Sequence, residues 1–156
     1  MLTRNKSLEG VWTAIATPFH ENGAIDFAAW EKLLLLQKEA RVTGITVAGT
    51  TGEGPTLSVS EKLSLVKKTK ALVGNELRVM GGVGGNDTAQ CVELAKLLED
   101  AGADSLLVVT PPYNKPSLAG LKIHFEKIAE KRFDHRFPLF DSKVSCCLLK
   151  FLVIEN

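Results

Sequence analysis

Gly44, Gly74 and Gly102 each close a stretch of helical apolar spacing, and a short run rich in Val, Leu and Ile follows each within a few residues. The interval is about thirty residues, the length of one βα module. A chain that repeats strand and helix at this interval has few folds open to it. The short runs are nearly all apolar, the pattern of strands covered on both faces. Alternation with helices then points to a parallel sheet. Two architectures satisfy this: an open doubly wound sheet, or a (β/α)8 barrel, whose full circuit needs about 250 residues. Periodicity does not choose between them.

The spacing predicts strands over residues 11–16, 45–48, 77–83 and 105–109. The first helix carries Phe27, Trp30, Leu33 and Leu34, with Asp26 placed to cap its start. The second runs over residues 58–73 and opens with Ser58 and Glu61 at capping-box spacing. Asp87 caps the third, whose buried face is Val92, Leu94, Ala95 and Leu98. Ser117 opens the fourth, with Leu118, Leu121, Phe125 and Ile128 on one side.

A chain of 156 residues gives one domain with room for a core. Net charge is +1 with Lys and Arg scattered, so nothing favours nucleic acid or an anionic membrane as partner. Cys91, Cys146 and Cys147 are odd in number and two are adjacent, which is neither a disulfide framework nor a zinc spacing. No apolar core of signal-peptide length follows Met1, and no stretch approaches the ~20 apolar residues of a spanning helix. The expectation is a cytoplasmic protein with no cofactor and no metal. His20, His124 and His135 stand apart, His124 on a helix surface and the others in loops, and Cys91 is packing within a helix.

In either architecture, ligands bind at the carboxyl ends of the strands. Gly49-Thr50-Thr51-Gly52-Glu53 follows the second strand. Its glycines let the backbone turn sharply and present N–H groups beside two hydroxyls, donors suited to a small carboxylate. A phosphate loop is excluded because no Lys follows the glycines. The glycines at 82, 84 and 85 miss a dinucleotide fingerprint, since Asp87 holds its third position. Two readings of Thr50 and Thr51 stand: hydroxyls that cap their own loop, or hydroxyls that hold a ligand. Glu53 is read as a loop carboxylate accepting backbone N–H bonds. After the fourth strand comes Thr110-Pro111-Pro112-Tyr113-Asn114-Lys115-Pro116, with the chain's single tyrosine. On residues alone it is a stiff proline-rich turn.

These two segments, with residues 10–19 and 81–88, resemble the motifs of the dihydrodipicolinate synthase / N-acetylneuraminate lyase family of class I aldolases. The resemblance covers residues 8–131 without a gap. It implies the (β/α)8 TIM barrel, here its first four βα modules: a half barrel over residues 1–132, with an aberrant non-family tail over 133–156. It also implies a reaction. A lysine amine forms a Schiff base with pyruvate, and the derived enamine attacks an aldehyde. The double threonine and the Tyr113-Asn114 pair favour the branch whose aldehyde is aspartate 4-semialdehyde, in lysine (diaminopimelate) biosynthesis. Thr50 and Thr51 would hold the pyruvate carboxylate. Thr50 and Tyr113 would belong to a hydroxyl proton relay, with Tyr113 donated into a neighbouring subunit of a homotetramer built as a dimer of dimers.

Departures from the pattern bear on activity. The family's second relay tyrosine follows strand five, and this chain has no second tyrosine. The Schiff-base lysine stands at the end of strand six, beyond the matching segment, and Lys143 and Lys150 lack its context. Val59, Lys62 and Gln90 stand where lysine-inhibited members often carry His, His and Glu, which argues against feedback inhibition. Residues 133–141 outline a strand five, and residues 142–156 are apolar without the turn chemistry expected; a reading-frame change near residues 132–136 accounts for the abrupt end of similarity. A half barrel would expose two sheet edges and the apolar inner faces of its strands. The alternatives are a non-catalytic half-barrel fragment, a small α/β binding domain, or a relative acting on N-acetylneuraminate or a 2-keto-3-deoxy sugar acid.

Overall fold

The computed structural model describes residues 8–129, 139–140 and 151–155. Four βα units follow in order: β1 (Trp12–Ala14), α1 (Phe27–Glu39), β2 (Gly44–Val47), α2 (Val59–Val73), β3 (Arg78–Val83), α3 (Thr88–Asp100), β4 (Ser105–Val109) and α4 (Leu118–Ala129). β1 to β4 pair in sequence order and in parallel, Trp12 against Gly44, Ile45 against Val79, and Met80 against Ser105. Sequential parallel neighbours are the beginning of a barrel rather than a doubly wound sheet, whose order reverses near its middle.

The helices start where their caps dictate. Asp26 accepts from Ala28 and Ala29, and Asp87 accepts from Ala89 and Gln90. Ser58 and Glu61 form the reciprocal capping box, which holds the Glu61 carboxyl below its ordinary value through the Ser58 hydroxyl and then its backbone N–H. Gly74 ends α2, and Gly102 follows α3 with φ +100°. Gly44 does not end α1. That helix stops at Glu39, Arg41 takes the left-handed conformation, and Gly44 lies in β2 under the Trp12 ring, where a Cβ would not fit.

Paired residues share a face, and side chains alternate along each strand. Ile45, Val47, Val79, Val83, Leu106 and Val108 face the helices and form the core with Trp30, Leu34, Leu65 and Leu98. The opposite face was expected to be apolar and open. It carries Gly44, Thr46, Met80, Gly82 and Ser105, all buried, together with the apolar Ala14, exposed, and Leu107, half-buried. The Thr46 hydroxyl donates to the Met80 sulfur at 3.7 Å. Leu118, expected on the buried side of α4, is 74% exposed.

The sheet keeps two edges, but β4 is not one of them. β6 (Phe151–Glu155) runs antiparallel along β4, from Ser105 opposite Glu155 to Val109 opposite Phe151, and β5 (Leu139–Phe140) pairs with β6 in turn. Among the described strands, β1 and the two-residue β5 are the edges of the sheet. Antiparallel pairing is foreign to a (β/α)8 barrel, so the family geometry holds through β4 and no further. The boundary at residue 132, His135, Lys143, Cys146, Cys147 and Lys150 lie outside the described residues. No helix among the described residues is long and apolar enough to cross a membrane.

Candidate active site

The Thr50-Thr51 loop stands where the sequence puts it, beyond the carboxyl end of β2, and the way it is held could not be read from the loop itself. Ala48 turns the chain with φ +54°, an uncommon left-handed conformation for a residue with a Cβ. Three backbone bonds then close the turn: Gly52 N–H to Gly49 O at 3.1 Å, Glu53 N–H to Thr50 O at 3.1 Å, and Gly54 N–H to Gly49 O at 3.0 Å. The Ala48 carbonyl is wedged between Gly54 and Gly82, and a Cβ on either glycine would be driven into it. From the β1 side, the buried Thr17 hydroxyl donates to Gly52 O at 2.7 Å.

Everything beneath the loop is therefore fixed, and Thr50 and Thr51 are left exposed together with Glu53. Among the described residues, neither hydroxyl is spent on a hydrogen bond within the chain. Of the two readings left open by the sequence, local capping by these hydroxyls is thereby removed. Glu53 corrects the expectation made for it. It has φ +54° at the head of the short 3-10 turn Gly54–Thr56, and its backbone carbonyl takes the Thr56 N–H and hydroxyl, both at 2.9 Å. Its exposed carboxylate caps nothing.

Tyr113 lies beyond the carboxyl end of β4, two strands away from the threonines. Asn114 N–H bonds back to Pro112 O at 2.7 Å, closing a three-residue turn around Tyr113 at φ +65°. That γ-turn with positive central φ is rare and strained, and for an aromatic residue it is a true outlier. Its side chain is 99% exposed. The strain holds the phenol clear of its own chain. Strain of this kind costs about 1–3 kcal/mol and clusters at functional sites.

Beside the Tyr113 turn lies a cavity of about 470 Å³ lined by Asn86, Thr88, Asn114, Lys115, Gly120 and His124. Thr50, Thr51 and Tyr113 do not line it. His124 is not a surface residue: it is 5% exposed, with Nδ1 2.9 Å from the Thr88 hydroxyl and Nε2 buried without a partner among the described residues. Burial holds its pKa below the ordinary 6.5. Cys91 is buried in α3 as read, and burial, then the Asp87 charge, raise its thiol against an opposing pull from Lys62. Lys62 is buried on α2, which lowers its ammonium. No described strand carries a lysine.

Sequence reasoning found the exposed residues and missed their supports, Thr17, Ala48 and Gly82. A signal for Thr17 existed in its place before Pro18 at a strand end. Gly82 was weighed only as part of a failed dinucleotide motif.

The model of the dihydrodipicolinate synthetase family matches residues 7–136. The 4-hydroxy-tetrahydrodipicolinate synthase of Fervidobacterium nodosum is 48% identical over 122 residues, covering 78% of this chain and 41% of the relative. The structure of that synthase from Methylacidiphilum fumariolicum superposes with a TM-score of 0.76 at 46% identity, over 79% of this chain and 41% of the other. The chloride-inhibited dihydrodipicolinate synthase of Acinetobacter baumannii, complexed with pyruvate, gives 0.75 at 39% identity, over 78% and 42%. The chain thus spans well under half the length of the relatives it matches. The matched segment contains all four βα units and both strand-end loops, and on that ground the chain belongs to the dihydrodipicolinate synthetase family.

Proposed function

We propose that this chain carries the pyruvate-carboxylate element of a Schiff-base synthase of its family. The observation that carries the reading is the pair of unspent, exposed hydroxyls at Thr50 and Thr51 on a loop clamped from beneath. Donors fixed before the ligand arrives lose little freedom on binding it. Thr50 and Thr51 donate to the carboxylate, and Thr50 and Tyr113 are two members of a hydroxyl relay whose second tyrosine is not in this sequence. Because Tyr113 is held outward, the site it serves belongs to a second copy of the chain. The pyruvate bound in the Acinetobacter baumannii relative supports the choice of keto acid. The second substrate is an aldehyde, with aspartate 4-semialdehyde the one implied by the double threonine. The matching relatives have more than twice this chain's matched length, and the amine that attacks pyruvate is not on any described strand. On the described strands, the keto acid is bound with no amine placed to form an imine.

Two measurements on the same sample test this. Amide spectra of isotope-labelled protein titrated with pyruvate should shift at residues 49–54, with acetate as weaker competitor. Borohydride treatment with pyruvate should leave the intact mass unchanged. A titration without loop shifts refutes the carboxylate reading, and a lysine adduct refutes binding without an imine.

A further inference from the structure

We propose that Thr17 is the positioning residue of the Thr50-Thr51 loop, a role that rests on the carboxylate reading above. The loop's own three bonds run from residues 49 and 50 to residues 52–54, so they fix its shape and not its place. A tie from another strand is needed for that. Thr17 supplies it across 35 residues of sequence, with a buried 2.7 Å bond to the Gly52 carbonyl. Gly52 is adjacent to Thr51, so the bond acts one residue from a ligand-facing hydroxyl.

Three features make Thr17 suited to the task. It precedes Pro18, which confines its backbone to extended conformations. Its β-branched side chain has few rotamers, so the hydroxyl is aimed before the loop arrives. Gly52 is pressed against the same place: a Cβ there would stand 2.9 Å from Ile15 O and 3.2 Å from Thr17 Oγ1. Loop and strand end thus meet without an intervening side chain. Pro18 extends the connection, since its carbonyl accepts the N–H of Asp26, the cap of α1, at 2.9 Å. The hydroxyl of Thr17 touches no ligand; its part is to hold Gly52.

Thr17→Val keeps the shape and removes the donor, and Thr17→Ser keeps the donor. Amide hydrogen exchange and pyruvate titration of the full chain would be read on wild type and both variants. In Thr17→Val, exchange at Gly52, Glu53 and Gly54 should rise about tenfold and pyruvate should bind about tenfold more weakly, the loss expected for one buried bond, with Thr17→Ser restoring most of both. Unchanged loop exchange in Thr17→Val overturns the proposal. So does a rise spread evenly over all four strands, which marks a merely structural threonine. If wild type ignores pyruvate while Thr17→Val still loosens the loop alone, the positioning role stands and the carboxylate reading falls.

Discussion

Two adjacent glycines on β3 give a sharp test of how the loop is supported. Gly81 and Gly82 are both buried, and neither has a positive φ. Their side-chain directions are opposite. A methyl at Gly81 meets Leu98 Cδ1 at 3.2 Å and Ala103 Cβ at 3.6 Å, and the far end of Leu98 can move aside. A methyl at Gly82 is driven into the Ala48 carbonyl, 2.7 Å from its carbon and 3.0 Å from Gly49 N. That neighbour is backbone, held by the loop's own bonds, and has no rotamer to change. Overpacking costs about 1–3 kcal/mol, and Gly82→Ala belongs at the upper end of that range. Both variants gain about 0.4–1 kcal/mol by restricting the unfolded chain, so that gain cancels between them, and the milder crowding at Gly81 costs about 1 kcal/mol. The expected difference of about 2 kcal/mol corresponds to about 4–8 °C in Tm for a domain of this size. Urea unfolding followed by circular dichroism measures it, with equal m-values required so that stability alone is compared. Equal stability of the two variants would show that the Ala48 carbonyl is not confined as described.

Asp104 accepts from Lys70 at 2.8 and 2.9 Å and from the Val79 N–H at 2.7 Å, so Asp104→Ala should cost about 2 kcal/mol in urea unfolding by stranding a strand-end donor. Lys70→Met, which breaks only a partly exposed pair, should cost under about 1 kcal/mol. Burial disfavours the proton on His124, so below pH 6.5 the unfolded chain takes up a proton that the folded chain refuses. Stability is full above pH 6.5 and falls as pH drops from there towards the lower folded value; His124→Gln should flatten the dependence of the urea midpoint on pH, and an identical slope in the variant would remove His124 as its source. Tyr113→Gly should raise stability by about 1 kcal/mol, seen as a higher Tm, because the strained φ of +65° is relieved and no packing is lost. A lower Tm would mean that the exposed phenol supports its own fold.

The elements legible in the sequence are those whose cause is local. Asp26, Ser58 and Asp87 announce their helices because a cap acts within three residues. Val79, Leu106 and Val108 announce core strands because apolar runs bury wherever they pair. Gly44 misled for the same reason: a glycine near a helix end reads as a stop, while its real constraint is the Trp12 ring on the neighbouring strand, 32 residues away in sequence. His124 misled likewise, since its burial depends on Thr88 in the preceding helix.

The site divides along the same line. Thr50, Thr51 and Tyr113 were legible as candidates because a residue proposed to meet a ligand need only be of the right type at a strand end. Their geometry was not, because it is set by residues of no distinctive chemistry. Thr17 matters through Gly52, Gly82 through the carbonyl of Ala48, and Ala48 through a backbone angle. Each of these contacts joins two strands or a strand and a loop, and each exists only once β1, β2 and β3 are in register. It follows that the sheet must form before the Thr50-Thr51 loop has its place, so any change that slips β1 or β3 against β2 displaces the candidate site while leaving both threonines in the chain. Mutating the threonines tests the chemistry of the site, whereas Thr17 and Gly82 test whether the fold makes it.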